Sequence, residues 1–510
     1  MNLRPTFAAR QGARPPRFRA SAARWDAAAP AHGPAAPPYA LAPQAGLGHH
    51  PLADDALSAA LRRQATEIDA AFSAIAPALR ELVPGQFAPE FPARAAAFLR
   101  ERLGIEVAPH RLQAAWTRPL DIHALYADCL TETFRRLVAG SHRETLAACD
   151  EGESVETLIR RWGFHAVDIT PCADGRLAGV IDYILRIPRA VVAYRQSYAG
   201  AMFEVAEAMA NWERTELSRF SAAVPNAALE PTRYLKVGVY HFSSVDPDHG
   251  GCAAHGSDTD RAARAVLERL VAFAEALQAT HRAQAAILLI GVDTDTDAIR
   301  VHVPDRDGKP HVGRWLSSAA LYDATLGMPR EDGKAFVRRE VTALAGVDMH
   351  DTESEGMRWF CSYLLKNNFG QVESVRAHEG GRYAEAGHTE KLIVVGDPVD
   401  DVQLRNLAFE AQMRTVEEGA VDLDIGVRVL AQHHTPANLP VTVLVNATYD
   451  ERIPVAEAAA VARATRLARA VAARYPDLST TGILQVRAMV RGLGGTPRRV
   501  ELSPEQEFAA

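Results

Sequence analysis

Polar residues with complementary chemistry follow a short apolar run in the sequence VDITPCADGR, where Cys172, Asp174 and Arg176 are spaced two residues apart. If the extended backbone of that run continues, side chains alternate between two faces and these three share one face. A thiolate, a carboxylate and a guanidinium would then occupy one small volume. Such a group can bind a metal ion through sulfur while the arginine holds the carboxylate in a bidentate pair.

A second polar group lies in the segment KVGVYHFSSVDPDHGGCAAHG. His241 ends an apolar run, and Cys252 follows eleven residues later, after a loop that contains Pro and Gly. Two thiolates and one imidazole suit tetrahedral Zn²⁺ and leave a fourth position for water, as in catalytic zinc sites. Cys172, His241 and Cys252 are therefore candidate zinc ligands. Asp174 would orient the bound water, and Arg176 would keep that carboxylate off the metal.

The spacing of these residues leaves other interpretations open. Separations of 69 and 11 residues are unlike compact zinc motifs such as paired CxxC, and buried cysteines beside a satisfied core histidine would give the same pattern. A purely structural zinc would need a fourth ligand, for which His249 or His255 is available. A zinc hydrolase or deaminase is a further candidate, although the HxE and PCxxC pattern of the deaminases is missing.

The periodicity of apolar residues indicates the elements that must position these groups. After residue 150, runs rich in β-branched residues predict strands, and amphipathic segments at 188–220 and 258–282 predict helices. This alternation predicts an α/β domain with a largely parallel sheet, whose ligands bind at the carboxyl ends of the strands. The predicted strands are Ala166–Thr170, Tyr234–Phe242, Ala285–Val292 and Ile299–Val303.

The flanking segments have different patterns. From Asp54 to about Asp150, apolar residues recur at spacings of three, four and seven, which predicts a small helical domain. From Lys391 onward the strand and helix alternation restarts without any cysteine, which predicts a degenerate α/β repeat that binds no metal. Its pattern predicts strands at 392–395, 425–430, 441–445 and 483–490, and helices at 402–418 and 455–474.

The start of the chain, residues 1–53, is rich in Ala, Pro and Arg and lacks apolar periodicity, which predicts a disordered basic arm. Six arginines and a single acid, Asp26, lie within residues 1–50. This charge favours short contacts on an acidic protein surface, although an inert tail has the same composition. The expected organisation is thus an arm at 1–53, a helical domain at 54–150, a catalytic zinc domain at 151–390 and a metal-free repeat at 391–510.

Composition excludes several classes of protein. The chain of 510 residues has a net charge of −7, which argues against a nucleic-acid partner because phosphate binding needs a basic field. No apolar run approaches the roughly 20 residues of a membrane span. No apolar segment of a secretory signal is present at the start, and five widely spaced cysteines fit a reducing compartment. We therefore expect a cytoplasmic location.

The CADGR sequence, the GVYHFSS strand and the DPDHGGCAAHG loop together resemble the carboxysomal shell carbonic anhydrases, a divergent branch of the β-class carbonic anhydrases. The resemblance covers most of the chain and implies a helical N-terminal domain, a catalytic α/β domain and a duplicated domain that lost its metal. It implies zinc-dependent interconversion of carbon dioxide and bicarbonate. Zinc would lie on Cys172, His241 and Cys252, with Asp174 and Arg176 as a gating pair.

Proton export and partners complete these expectations. A carbon dioxide hydrase must export a proton, and among His249, His255 and His388 we favour His388, in AGHTEKL just before a strand. The resemblance implies that residues 1–50 tether the enzyme to Rubisco, or to shell proteins, inside the carboxysome. It also implies a homo-oligomer built from dimers. A carboxysomal scaffold with a structural zinc site is the alternative.

Overall fold

A computed structural model describes residues 49–107, 111–112, 120–140, 155–188, 191–221, 232–348, 354–383, 389–399, 405–493 and 495–502. The predicted arm therefore lies almost entirely outside the described residues, and His388 lies outside them as well. None of the described helices combines the length and the apolar character that a bilayer crossing requires.

The N-terminal region is helical, as predicted. Helix α1 begins where the Asp54 carboxylate accepts a hydrogen bond from the Leu57 N–H at 3.0 Å, which caps the helix. Helix α3 ends at Gly104, whose φ of 66° lies in the left-handed region that favours glycine. The helices are α1 Asp55–Ser73, α2 Ile75–Leu82, α3 Phe91–Leu103 and α4 Ile122–Gly140.

A six-stranded sheet forms the second region. Its strands are β1 Ala166–Pro171, β2 Val192–Arg195, β3 Tyr234–Phe242, β4 Ala285–Asp293, β5 Ile299–His302 and β6 Leu316–Ser317, in the order β2-β1-β3-β4-β5-β6. Strands β1 to β4 are parallel, whereas β5 and β6 pair antiparallel. All residues of β1 and β3 are buried, because helices cover both faces of the sheet. The helices are α5 Val155–Trp162, α6 Val205–Ser221, α7 Thr259–His281, α8 Ser318–Thr325, α9 Arg330–Ala345, α10 Glu355–Asn367 and α11 Phe369–His378.

A second sheet repeats this topology. It contains β7 Leu392–Gly396, β8 Ala408–Gln412, β9 Val441–Tyr449, β10 Leu484–Gly492 and β11 Arg498–Val500, with helices α12 Ala420–His434, α13 Ala456–Arg474 and α14 Pro476–Thr480. The order β8-β7-β9-β10-β11 matches β2-β1-β3-β4-β5, and the last strand of each set is antiparallel. The predicted fold class, a helical domain followed by an α/β domain and its repeat, is confirmed.

Three secondary-structure predictions are wrong. The helix predicted at 188–220 contains strand β2 before α6, and the helix predicted at 402–418 contains strand β8. Both strands are short and contain charged residues, so pairing with neighbouring strands rather than propensity defines them. The strand predicted at 425–430 lies inside α12, where Leu423, Val427 and Leu430 are buried at helical spacing.

The repeat sheet is covered on both faces. Helix α4 and its neighbours pack on one face, where Leu125 and Leu130 share an apolar cluster with Leu392 and Met489. Helices α12 and α13 cover the opposite face. The helical region and the repeat therefore share one core, which lies beside the catalytic sheet.

Candidate metal centre

The three predicted metal ligands meet at the carboxyl edge of the catalytic sheet. Cys172 directly follows β1, His241 lies near the end of β3, and Cys252 ends the loop after β3. Their ligand atoms lie within 4.8 Å of one another and all three residues are buried. The two sulfur atoms are 3.9 Å apart. Parallel strands thus bring together residues that are far apart in the sequence.

The chemistry of this group fits a zinc ion. Two sulfur atoms and an imidazole form a common zinc ligand set. Within the described part of the chain, no hydrogen bond reaches Nδ1 of His241, although this atom is buried. Burial, followed by the neighbouring Cys252, raises the pKa of the Cys172 thiol well above its usual value. A bound cation would favour the thiolate form that this environment otherwise opposes.

The pKa values of Cys252 and His241 also reflect their neighbours in this group. The hydrogen bond from Cys172 lowers the pKa of Cys252, although burial opposes this effect. Burial alone would lower the pKa of His241, but the nearby Asp174 carboxylate and Cys172 raise it to about 9. The Asp174 carboxylate beside the ring therefore favours a positive charge on His241.

Asp174 and Arg176 form a bidentate ion pair next to the cysteine and histidine group. Oδ1 of Asp174 accepts hydrogen bonds from Nε of Arg176 at 2.9 Å and from its backbone N–H at 3.0 Å, and Oδ2 accepts from Nη2 at 2.8 Å. Oδ2 also lies 3.2 Å from Nε2 of His241. Both side chains of the pair are almost fully buried. The carboxylate thus faces the metal site while the guanidinium holds it.

The backbone geometry at this pair differs from the extended continuation predicted from the sequence. Residues Gly175–Leu177 form a 3₁₀ turn, and the Asp174 side chain caps it. That expectation was wrong because the capping carboxylate favours a tight turn over an extended chain. The turn folds the Arg176 side chain back onto Asp174, so the two groups still meet.

Arg176 also connects three segments of the catalytic domain. Its Nη1 donates hydrogen bonds to the carbonyl oxygen of Gly250 at 2.8 Å and to Oγ1 of Thr294 at 3.2 Å. Its own carbonyl oxygen accepts a hydrogen bond from the Tyr183 hydroxyl at 2.5 Å. Gly250 belongs to the loop that leads to Cys252. The guanidinium therefore fixes the pair relative to Cys252, a predicted metal ligand.

Two aspartates at the end of β4 support the loop between β3 and Cys252. They are not among the functional residues predicted from the sequence. Oδ2 of Asp295 accepts hydrogen bonds from the Ser243 hydroxyl and the Val245 N–H, both at 2.7 Å. Oδ2 of Asp293 accepts from the Ser244 hydroxyl at 2.7 Å. The available signal was the repeated aspartate in GVDTDTD, directly after a buried strand. These carboxylates anchor the start of the loop that ends at Cys252.

The remaining histidine candidates lie apart from the group. His249 is exposed and its Nδ1 lies 3.1 Å from Oδ1 of Asp246. His255 is buried, and its Nε2 lies 3.3 Å from the carbonyl oxygen of Gly200. Among the described residues, neither joins the cluster as a fourth metal ligand. The preferred shuttle, His388, lies outside the described residues.

Family models match almost the whole region after the arm. The N-terminal model of the Carboxysome Shell Carbonic Anhydrase matches residues 50–142, the catalytic-domain model matches 154–388 and the C-terminal model matches 389–503. The chain belongs to the carboxysome shell carbonic anhydrase family. The resemblance found in the sequence is thereby confirmed, and so is the assignment as a carbonic anhydrase.

Individual carboxysome shell carbonic anhydrases agree with this assignment. The chain is 40% identical to that of Parasynechococcus marenigrum (strain WH8102) over 448 residues, which cover 87% of this chain and 76% of the relative. It is 39% identical to that of Prochlorococcus marinus (strain MIT 9313), covering 87% and 86%. Identity to that of Halothiobacillus neapolitanus is 36%, covering 87% and 88%.

The candidate metal centre of this carbonic anhydrase falls within the match to the catalytic-domain model. Cys172, His241 and Cys252 all lie in residues 154–388. The segment matched by the C-terminal model contains no cysteine. Across its described residues, no group of histidine and carboxylate side chains comparable to the metal centre is found.

Proposed function

We propose that this carbonic anhydrase depends on zinc, held by Cys172, His241 and Cys252, and interconverts carbon dioxide and bicarbonate inside the carboxysome. In that location it would supply carbon dioxide to Rubisco. The observation that carries the proposal is the buried cysteine and histidine group beside the Asp174 and Arg176 pair. Membership of the family supports the reaction and the location.

The residues of the chain have distinct roles in this proposal. Zinc would act as a Lewis acid that lowers the pKa of a water in its open fourth position. Oδ2 of Asp174 faces the site beside His241, so it can accept a hydrogen bond from the reacting water and orient it toward carbon dioxide. Arg176 occupies both carboxylate oxygens and so disfavours direct binding of Asp174 to the metal.

Proton export needs a group that titrates near neutral pH at the mouth of the site. We keep His388 as the proposed shuttle. Burial lowers the pKa of His255, and its ring already contacts a backbone carbonyl, which argues against that residue. A His388→Ala variant should have a lower kcat that exogenous imidazole restores, with kcat/KM unchanged.

Zinc analysis and stopped-flow hydration of carbon dioxide test the metal site. The wild-type protein should contain about one zinc per chain and hydrate carbon dioxide. Cys252→Ser should lose both properties, and Asp174→Ala should keep zinc but lose activity. Cys361→Ser is the matched control, because Cys361 is equally buried but lies within α10, outside the metal group. Full zinc content without hydration in the wild type would instead favour a scaffold with a structural zinc.

The basic arm is proposed to bind Rubisco or shell proteins through residues 1–50. His49 and His50 contact Glu373 on α11, with Nδ1 of His49 2.8 Å from Oε1 and the His50 N–H donating to Oε2 at 2.7 Å. Deletion should therefore stop at residue 48. The truncated enzyme should keep hydration activity and lose salt-sensitive co-sedimentation with Rubisco. Unchanged co-sedimentation would contradict the proposal.

We also infer a homo-oligomer built from dimers, as the family resemblance implies. Sedimentation velocity of the full chain measures this directly. A species with an even number of chains is the expected result. A monomer over the micromolar range would contradict it.

A further inference from the structure

The repeat contacts the turn that carries the gating pair. The N–H of Glu410 donates a hydrogen bond to the carbonyl oxygen of Ala173 at 3.1 Å, and the N–H of Asn406 donates to that of Gly175 at 2.8 Å. In return, the Gly175 N–H donates to Oε1 of Glu390 at 3.2 Å. Three hydrogen bonds with the repeat therefore hold residues 173–175, immediately beside Cys172.

Glu390 makes the one contact of these three that uses a side chain. It lies just before β7 in the segment matched by the C-terminal family model, and it is only 3% exposed. A Cβ atom at Gly175 would lie 2.4 Å from Cγ of Glu390, 2.7 Å from its Oε1 and 2.9 Å from the Ala408 carbonyl oxygen. The turn therefore packs against Glu390 with no space between them, which requires glycine at position 175. A buried Gly175 N–H without an acceptor would cost free energy, so the turn should relax if the Glu390 oxygen were removed.

We propose that Glu390 is a positioning residue for the carbonic anhydrase reaction. By accepting the Gly175 N–H, it fixes the turn in the geometry in which Arg176 holds both oxygens of Asp174. The inference rests on the proposed function of that pair. The repeat then contributes to catalysis without binding a metal of its own, because it supplies the acceptor that orders the gating turn of the other domain.

Three variants of the full-length protein separate the hydrogen bond from charge and volume. Glu390→Gln keeps an oxygen at the same reach without the charge. Glu390→Asp keeps the charge but withdraws the oxygen by one methylene, and Glu390→Ala removes it. Asp424→Ala is the matched control, because Asp424 accepts from Arg474 and the Tyr475 hydroxyl entirely within the repeat.

The readouts are zinc content, kcat/KM for hydration, and hydrogen exchange of the peptide covering residues 173–177. Glu390→Ala and Glu390→Asp should keep zinc, lower kcat/KM by about 10-fold or more, and exchange faster in this peptide. Glu390→Gln should stay within about 3-fold of the wild type in kcat/KM, and Asp424→Ala should match the wild type in all three readouts.

Each contrary outcome has a defined meaning. If residues 173–177 exchange faster in Glu390→Asp but kcat/KM is unchanged, the contact has only a structural role and the proposal is wrong. Unchanged hydrogen exchange of this peptide in Glu390→Asp would also overturn the proposal. If Glu390→Ala does not fold, the comparison of the Asp and Gln variants decides the question. A wild-type protein without zinc or hydration activity would overturn the proposed function instead, and hydrogen exchange would still report whether Glu390 orders the turn.

Discussion

Arg176 makes hydrogen bonds that no other single residue type could reproduce. Its planar group pairs with both oxygens of Asp174 while Nη1 reaches Gly250 and Thr294. A lysine has one compact ammonium group and cannot form the bidentate pair and the other contacts together. The geometry of the Asp174 and Arg176 pair therefore depends on the guanidinium shape as well as on its charge.

Replacing Arg176 by lysine tests this dependence. Arg176→Lys should keep zinc but lower kcat/KM for hydration by roughly 100-fold, because a small misplacement of a reacting group has effects of that size. Arg452→Lys is the matched control. Asp450 and Arg452 have the same spacing and the same bidentate pairing, with Nε at 2.9 Å and Nη2 at 2.7 Å, but Arg452 is exposed in the repeat. Equal losses in both variants would contradict the special role of Arg176.

Residue types predicted which side chains lie together but not what supports them. Thiolate, imidazole, carboxylate and guanidinium groups near strand ends suggested the group of Cys172, His241 and Cys252 with the pair beside it, and the structure brings these side chains together. Their role in zinc binding and catalysis stays a prediction, which the family resemblance supports. Glu390 could not be found in this way, because it is an ordinary carboxylate 215 residues from Gly175 and only the packing of the repeat brings them together. Contacts of this kind depend on tertiary structure, which local sequence patterns do not encode.

Among the secondary-structure elements, central strands were predictable and edge strands were not. Strands β1 and β3 are buried on both faces, so their apolar runs are unambiguous. Strands β2 and β8 lie at the edges of their sheets, and the ion pair between Arg195 and Glu410 joins them. Because these two charged residues lie within the short strands, β2 and β8 lack the apolar pattern from which a strand is predicted. Both of these missed strands thus lie where the two domains meet.

Strand β5 supplies a prediction about acid stability. Burial lowers the pKa of His302 to about 4, and its neutral ring lies 3.0 Å from the Tyr240 hydroxyl and 2.9 Å from the His311 carbonyl oxygen. Between pH 6.5 and 4 the unfolded chain binds this proton and the folded protein does not. The free energy of unfolding should therefore fall by up to about 3 kcal/mol as pH falls through this range.

Urea unfolding of wild type and His302→Gln at about pH 7 and about pH 4.5 measures this contribution. Glutamine can donate and accept hydrogen bonds like a neutral imidazole but does not titrate. The variant should lose less stability on acidification than the wild type, whereas the other buried histidines contribute equally to both. An equal loss in the two proteins would show that His302 is not the responsible group.

The whole molecule depends on the contact between the helical region and the repeat. Asp128 on α4 is buried and accepts hydrogen bonds from Arg487 on β10 at 2.6 Å, from Arg499 on β11 at 2.7 Å and from Arg111 at 2.9 Å. Burial would raise the pKa of Asp128, but the three guanidinium groups lower it below its usual value. One buried carboxylate thus pairs with the buried Arg487 and with two partly exposed arginines where two regions of the chain meet.

Asp128→Asn should weaken this contact strongly, because it removes the negative charge that faces the buried Arg487 guanidinium. The expected cost is about 3–5 kcal/mol in the free energy of unfolding. Glu132→Gln is the matched control on the same helix. Glu132 pairs with Arg135 near the surface, where such pairs contribute about 0–1 kcal/mol.

Urea unfolding and limited proteolysis of α1 to α4 measure the effect of Asp128→Asn. Ala178, next to the gating turn, packs in the apolar cluster that α4 shares with the repeat. Loss of the Asp128 contact should therefore also speed hydrogen exchange at residues 173–177, but less than Glu390→Ala does. Zinc content should stay at the wild-type level, since the metal ligands belong to the catalytic sheet. Proteolysis of the helices at the wild-type rate in Asp128→Asn would show that the shared apolar core, rather than the buried charges, holds the helical region on the repeat.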